Sequence, residues 1–214
     1  MYRIDGISAG QGGRIILKLT LPRGATEILA IDAEVFRRLD VKKGEITREE
    51  YKVLAEESAR GAAHAKGLRI LAYGANSPRQ LKDKLCRAGV SRENAESVAR
   101  ELFEKGYLKE NEDAVRMAES MLDRGWGQRR IISALRTKGY SDEACEAAVE
   151  ALADVDFAER CTEMAQKRLK NLSSDRVEVQ KAIAKLVNLG YNVSETKKAV
   201  SAVLSERGGD RYSI

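Results

Sequence analysis

The sequence is poor in several residue types, and each shortage narrows the range of possible structures. Proline occurs only twice in 214 residues and aromatic residues make up 5% of the chain. This composition disfavours one thick core and favours many small helices packed through aliphatic side chains. No stretch approaches the roughly 18 apolar residues of a membrane span, and no apolar secretion segment occurs near the N-terminus. We therefore expect a cytoplasmic protein with no membrane partner.

Residues that commonly build catalytic or metal sites are also scarce. The three cysteines, Cys86, Cys145 and Cys161, lack CxxC spacing and lie in helical patterns, which predicts reduced, buried thiols. The single histidine, His64, has no partner at catalytic or metal-binding spacing, and we expect it to pack at a helix surface. The glycine-rich stretch 6–13 matches no phosphate-binding motif and predicts a turn. Most carboxylates are expected on exposed helix faces, with no recognisable buried pair. The sequence thus predicts no catalytic residue, cofactor, metal or small-molecule substrate.

The first part of the chain has the pattern of β-structure. RIILKLT (14–20) and TEILAI (26–31) are rich in β-branched and aliphatic residues and flank a Pro-Arg-Gly turn, which predicts a hairpin that YRIDGI near the start could join. A short helix is expected over 32–40. Thr47 and Glu50 then form a capping box that opens a long helix.

The remainder repeats one helical phrase three times. The copies are LCRAGVSRENAESVAREL, LRTKGYSDEACEAAVEAL and LVNLGYNVSETKKAVSAVL, which begin at Leu85, Leu135 and Leu186. In each copy, the glycine four residues after leucine predicts a helix end in left-handed conformation. Two residues later, Ser or Asn predicts the cap of the next helix. An amphipathic helix is expected ahead of each pair, over 50–72, 110–124 and 155–171.

We therefore predict a mainly α-helical protein, in which three tandem three-helix repeats form an elongated array behind a small β-rich segment. The expected boundaries are a β-hairpin-containing segment at 1–46, repeats at 47–108, 109–154 and 155–206, and a tail at 207–214.

The charges are distributed unequally among the helices of each repeat. The middle helices, taken as 78–88, 127–138 and 174–189, carry eleven basic and three acidic residues. The third helices, taken as 91–105, 141–154 and 193–206, carry five basic and eleven acidic residues. For any one helix a solvated, salt-bridged surface is the simpler interpretation. Repetition favours a basic stripe suited to a phosphate backbone or an acidic protein groove. The candidate interaction residues are Arg79, Lys82, Arg87, Arg124, Arg129, Arg130, Arg136, Lys138, Lys181 and Lys185.

Two further interpretations concern the second repeat. A helix-turn-helix motif would place its second helix in the DNA major groove. Here that helix carries Asp142, Glu143, Glu146 and Glu150, whose charge opposes contact with phosphate, so we reject sequence-specific DNA reading. Trp126 could be a packing anchor or a partner-binding aromatic residue, and we expect packing.

The stretch GWGQRRIISALRTKGYSDE (125–143) resembles the RecX family of recombinase regulators, whose central repeat reads G-x-x-[RK]-I-x-x-x-L-x-x-[KR]-G. The matching residues are Gly127, Arg130, Ile131, Leu135, Lys138 and Gly139. SPRQLKDKLCRAGVS and LFEKGYL in the first repeat also resemble the family, and the likeness is weaker in the third repeat.

This resemblance implies a non-enzymatic regulator that binds the RecA recombinase filament on single-stranded DNA and lowers its ATPase, strand-exchange and coprotease activities. It thus implies a role in homologous recombination, DNA repair and the SOS response. The alternative is a stand-alone nucleic-acid-binding module acting through its basic middle helices on single- or double-stranded DNA backbone. An enzyme is disfavoured because the chain lacks a recognisable catalytic constellation.

Overall fold

The structure is a computed structural model that describes residues 1–169 and 175–206. Within these ranges it contains four strands and ten α-helices, which confirms a mainly helical protein with a small N-terminal sheet. The chain divides into two compact units, Met1–Leu108 and Lys109–Ile214. The predicted tail at 207–214 lies outside the described residues.

The first unit begins with an antiparallel sheet whose strand order is β3-β2-β1-β4. Its strands are β1 (Tyr2–Ala9), β2 (Arg14–Thr20), β3 (Thr26–Asp32) and β4 (Gly44–Ile46). The predicted hairpin is confirmed, because β2 and β3 pair antiparallel around the Pro-Arg-Gly turn. Alternate side chains of the sheet are buried with Leu54 of the following long helix and form the first core.

The structure differs from the expected pattern of this segment at two places. A strand that was not predicted, β4, follows the short helix and pairs Ile46 with Tyr2. The stretch 6–13 is not all turn, since β1 continues to Ala9 and only Gln11–Gly13 forms a short 3-10 turn. In both cases pairing with a distant strand supplies hydrogen bonds that local sequence does not reveal.

Four helices complete the first unit. They are α1 (Ala33–Arg38), α2 (Arg48–Ala72), α3 (Pro78–Arg87) and α4 (Arg92–Glu104). The predicted capping box of α2 is present, with Thr47 and Glu50 each accepting a hydrogen bond from the other's backbone N–H. Ser91 caps α4, also as predicted, and Ser77 caps α3. These helices enclose a second core whose members are Ala63, Leu81, Leu85, Ala95, Val98, Ala99, Leu102 and Leu108.

The second unit contains six helices. They are α5 (Glu110–Asp123), α6 (Gln128–Thr137), α7 (Asp142–Ala151), α8 (Phe157–Arg168), α9 (Arg176–Asn188) and α10 (Val193–Ser205). The predicted left-handed glycines are confirmed, with φ of 82° at Gly139 and 96° at Gly190. Ser141 and Asn192 then cap α7 and α10. Residues 170, 171 and 174, which the predicted bounds of α8 and α9 include, lie outside the described residues.

Each three-helix set of the second unit surrounds its own core. The first core is centred on Ile131 and Leu135 of α6, and the second on Ile183 and Leu186 of α9. All three cysteines are free; Cys145 and Cys161 are buried in these cores, as predicted, whereas Cys86 in the first unit is only half-buried. Burial raises the pKa of the Cys161 thiol to about 12, so this group stays protonated at neutral pH.

Candidate interaction surface

The basic side chains predicted on α3 lie at the surface of the first unit. Arg79 and Arg87 are exposed, whereas Lys82 is half-buried and donates to Glu96 Oε2 on α4 at 3.0 Å. That hydrogen bond is the main reason why the pKa of the Glu96 carboxyl is lowered. The charge of Lys82 is therefore balanced by Glu96 of the same repeat. Of the three basic residues predicted on α3, Arg79 and Arg87 are more accessible to a partner.

Basic side chains are most exposed on and beside α6. Arg124, Arg129, Arg136 and Lys138 are all exposed. Arg136 lies 3.4 Å from Asp142 across the α6–α7 turn, with both side chains largely in solvent. Such an exposed ion pair contributes little to stability, so the Arg136 guanidinium remains free to change partners.

Arg130 occupies a different position from its neighbours. Its guanidinium carbon lies 4.0 Å from the centroid of the Trp126 ring, and its Nη1 donates to the backbone carbonyl of Asn188 at 3.3 Å. The cation is thus held over an aromatic face and at the C-terminal end of α9, where positive charge is favourable. Trp126 itself packs against the core of the second repeat, as expected. Arg130 has a structural role that the sequence analysis does not anticipate.

The middle helices of the second and third repeats meet end to end. The N–H of Gly127, at the start of α6, donates to the carbonyl of Leu189 at 2.7 Å. The N–H of Arg129 donates to the carbonyl of Gly190 at 3.3 Å. Free N–H groups at the start of α6 therefore pair with free carbonyls just after α9, which satisfies both helix ends. The two helices that carry the predicted basic residues are joined, and Lys181 and Lys185 are exposed along α9.

Two glycines permit this junction. A Cβ atom at Gly127 would lie 2.5 Å from the carbonyl carbon of Gly190, and one at Gly190 would lie 2.5 Å from the backbone nitrogen of Arg130. Any larger residue would force the helix ends apart. From the sequence, Gly190 was expected only to end a helix. A glycine at the start of one helix and another at the end of a second can also indicate that the two backbones lie close together.

Two carboxylates at the start of α5, Glu110 and Asp113, are buried, unlike the carboxylates on the exposed helix faces. Glu110 Oε1 accepts a hydrogen bond from the N–H of Ser141 at 2.9 Å, and Asp113 accepts one from Arg116. Nearby, the buried Tyr140 hydroxyl has no hydrogen-bond partner within the described residues. Burial, followed by the charges of Asp113 and Glu110, raises the pKa of this phenol to about 12. The hydrogen bond from Ser141 to Glu110 therefore holds in place the residue that caps α7.

A cavity of about 350 Å³ in the first unit contains His64. His64 Nε2 lies 3.7 Å from the carboxylate of Glu101, which also accepts a hydrogen bond from Lys105 at 2.7 Å. That bond to Lys105 is the main cause of the lowered pKa of the Glu101 carboxyl. The cavity is lined by opposed charges rather than by a nucleophile with its base. In the part of the chain that the structure describes, no cluster of His, Cys, Asp or Glu is suited to hold a metal ion.

None of the helices over 1–169 and 175–206 is long and apolar enough to cross a membrane. Exposed basic groups lie along α3, α6 and α9. Acidic groups are concentrated on α7, where Asp142, Glu143, Glu146 and Glu150 are all exposed. Such a surface can bind a charged macromolecule through groups of opposite sign.

Comparisons with known proteins point to one family. No protein-family model matches the chain. A regulatory protein RecX from Halorhodospira halophila is 30% identical over 149 residues, which cover 69% of this chain and 89% of that relative. A regulatory protein RecX from Caldanaerobacter subterraneus subsp. tengcongensis is 26% identical over 171 residues, or 79% of this chain and 85% of the relative.

Solved structures share the fold. A crystal structure of a regulatory protein RecX aligns with a TM-score of 0.73 at 20% identity and covers 94% of this chain and 100% of the other. The crystal structure of RecX from Lactobacillus salivarius aligns with a TM-score of 0.57 at 18% identity over 68% of this chain and 96% of the other.

Proposed function

This chain belongs to the RecX family of regulatory proteins, and on that premise we propose that it binds RecA recombinase filaments on single-stranded DNA and inhibits them. The observation that carries this proposal is the relative that is 30% identical and matched over 89% of its own length. Binding would lower the ATPase, strand-exchange and coprotease activities of the filament. The chain itself would act without catalysis and without a cofactor, by occupying surface that RecA needs.

The exposed cations of the middle helices are the proposed contact surface. Within the second unit these cations lie on or beside α6 and along α9. The two helices are joined end to end by backbone hydrogen bonds, which hold the charges of both repeats in fixed relative positions. A RecA filament on DNA offers phosphate groups and acidic protein side chains, either of which such cations attract. The proposed contacts are Arg79, Arg87, Arg124, Arg129, Arg136, Lys138, Lys181 and Lys185, together with Lys82, whose charge would first have to leave its partner Glu96. Arg130 contributes mainly by holding α6 against α9.

A second candidate function is binding to DNA backbone without RecA. The exposure of several arginines on and beside α6 is the observation that favours it. Phosphate contacts release counterions, so this function predicts an affinity for RecA-free DNA that falls steeply with salt. The RecA proposal instead predicts that filaments bind more tightly than the same DNA alone.

The contact surface is tested with the double variant Arg124→Glu, Arg129→Glu. Neither side chain makes an ion pair or side-chain hydrogen bond within the described ranges. A glutamate at 129 lies in the first turn of α6, where negative charge is favourable, whereas one at 124 caps the C-terminus of α5 and costs about 0.3 to 1 kcal/mol. Far-UV circular dichroism checks that the variant is folded. The matched control is Lys197→Glu, Lys198→Glu on α10, because both lysines are exposed and the change in net charge is identical.

We expect the Arg124, Arg129 variant to weaken filament binding by about tenfold at low salt, and the control variant to bind like the parent. The measurement is co-sedimentation or fluorescence anisotropy with RecA filaments on labelled single-stranded DNA. Equal affinities for both variants would move the contact surface away from α6. A parent protein that binds naked DNA as tightly as filaments would favour the second candidate function.

A further inference from the structure

Helices α6 and α7 border a groove of about 370 Å³ on the second unit. Its apolar lining comes from Ile132, Cys145 and Val149. Ile132 and Val149 are only half-buried, so apolar surface remains open between the two helices. Burying the apolar lining is favourable only when apolar atoms cover it. A groove of this kind therefore suits apolar side chains of another protein better than it suits a phosphate backbone.

One side of this groove is acidic. Asp142, Glu146 and Glu150 all line it and are spaced four residues apart, which places them along one face of α7. Like charges at this spacing destabilise a helix. Glu150 also lies in the last turn, where a negative charge opposes the helix dipole and where α7 has no basic residue. The acidic row therefore has a cost for the stability of α7.

The unit only partly compensates this charge. Asp142 lies 3.4 Å from Arg136 on the opposite side of the groove. Over residues 1–169 and 175–206, neither Glu146 nor Glu150 forms an ion pair. Two carboxylates beside an apolar groove thus have no ion-pair partner in the described part of the chain. A partner with both an apolar side chain and a positive charge could cover the apolar lining and pair with the carboxylates at the same time.

We propose that the α6–α7 groove binds a basic amphipathic segment of a protein partner. Apolar side chains of that segment would contact Ile132 and Val149, and its lysines or arginines would face Glu146 and Glu150. Nucleic acid does not fit this surface, because the carboxylates repel phosphate. The partner's identity rests on the proposed function, under which the segment belongs to the recombinase in the filament.

The groove is tested first with the full chain and a synthetic probe. The probe is a short labelled peptide of leucine and lysine at helical spacing, compared with a matched peptide that has glutamate in place of each lysine. The variant is Glu146→Lys, and its control is Glu143→Lys, an exposed glutamate of the same helix that does not line the groove. Both substitutions change the net charge equally, and far-UV circular dichroism checks that each variant is folded.

We expect the parent to bind the basic peptide and not the acidic one. Glu146→Lys should weaken binding by about tenfold at low salt, whereas Glu143→Lys should change it by less than about twofold. A second variant, Val149→Thr, keeps the shape but removes apolar surface and should also weaken binding. Equal effects at 146 and 143, no effect at 149, or no binding of the basic peptide would each overturn the proposal.

The same variants are then compared on RecA filaments. Loss of filament binding with Glu146→Lys but not with Glu143→Lys would support the groove as a RecA contact. If the parent binds the basic peptide but no filament, the proposed function fails and the groove proposal stands. If the parent binds filaments and Glu146→Lys binds them equally well, the groove is not a RecA contact and the proposed function stands.

Discussion

The junction between α6 and α9 gives a sharp prediction, because a single methyl group should disrupt it. Gly127 has φ of −81° and ψ of 162°, which alanine adopts without strain. The added Cβ would nevertheless lie 2.5 Å from the carbonyl carbon and 2.6 Å from the oxygen of Gly190. These are backbone atoms at a helix end and cannot turn aside as a flexible side chain would.

Overpacking of this kind costs about 1 to 3 kcal/mol. If the helix ends separate instead, the hydrogen bonds to Leu189 and Gly190 are weakened, at about 1 kcal/mol each. Both routes lead to a loss of about 2 kcal/mol in the free energy of unfolding for Gly127→Ala. The assay is urea unfolding followed by fluorescence of Trp126, the chain's single tryptophan, which lies next to the substituted residue.

The control is Gly139→Ala in the same unit. Gly139 has φ of 82°. An alanine in this left-handed conformation should lower the free energy of unfolding by about 1 kcal/mol. Gly127→Ala should therefore be the more destabilising of the two, although its backbone conformation is the ordinary one. A Gly127→Ala protein as stable as the parent would refute the close contact between α6 and α9.

Further predictions concern the tyrosines that follow the repeated glycines. Tyr191→Phe should lower the free energy of unfolding by about 1 kcal/mol, because the buried Tyr191 hydroxyl donates to the Gly125 carbonyl at 3.2 Å. Tyr140→Phe should be neutral or slightly stabilising in the same urea titration, since the Tyr140 hydroxyl has no partner among the described residues; equal losses for both would contradict this. Burial raises the Tyr191 pKa from 10.0 to about 12. Its contribution to stability should be complete below pH 10, the unfolded pKa, and be lost as pH rises toward 12. Melting temperatures across this interval should fall less in Tyr191→Phe than in the parent, and parallel curves would contradict the assignment.

Much of the fold is predictable from local sequence because the helix ends are marked chemically. Thr47, Ser91, Ser141 and Asn192 each cap a helix at the predicted residue. Each satisfies a backbone N–H that the first helical turn leaves free. The hairpin is predictable for a similar reason, since its two strands adjoin a short turn in the sequence.

The errors occur where distant segments decide the structure. Strand β4 has only three residues and exists through pairing with Tyr2, Arg3 and Ile4 at the other end of the segment. The buried Glu110 likewise depends on the N–H of Ser141, thirty-one residues away. Neither partner can be inferred from periodicity or propensity.

The candidate interaction surface also combines features that local sequence determines with features that contacts between distant segments determine. The concentration of basic residues in the middle helices can be read directly from the sequence, and their exposure on α6 follows from the apolar face formed by Ile131 and Leu135. The special position of Arg130 cannot be read in this way. It depends on the junction with α9, which brings the Asn188 carbonyl to its guanidinium. The α6–α7 groove is equally a product of packing.

The proposed restraint of RecA on single-stranded DNA is tested by the steady-state rate of RecA ATP hydrolysis on single-stranded DNA, measured with increasing amounts of the purified chain. We expect the rate to fall as the chain is added, and we expect the chain alone to hydrolyse no ATP. The Arg124→Glu, Arg129→Glu variant should require about tenfold more protein for the same inhibition. A RecA rate that is unchanged at saturating amounts of the folded parent protein would contradict the claim.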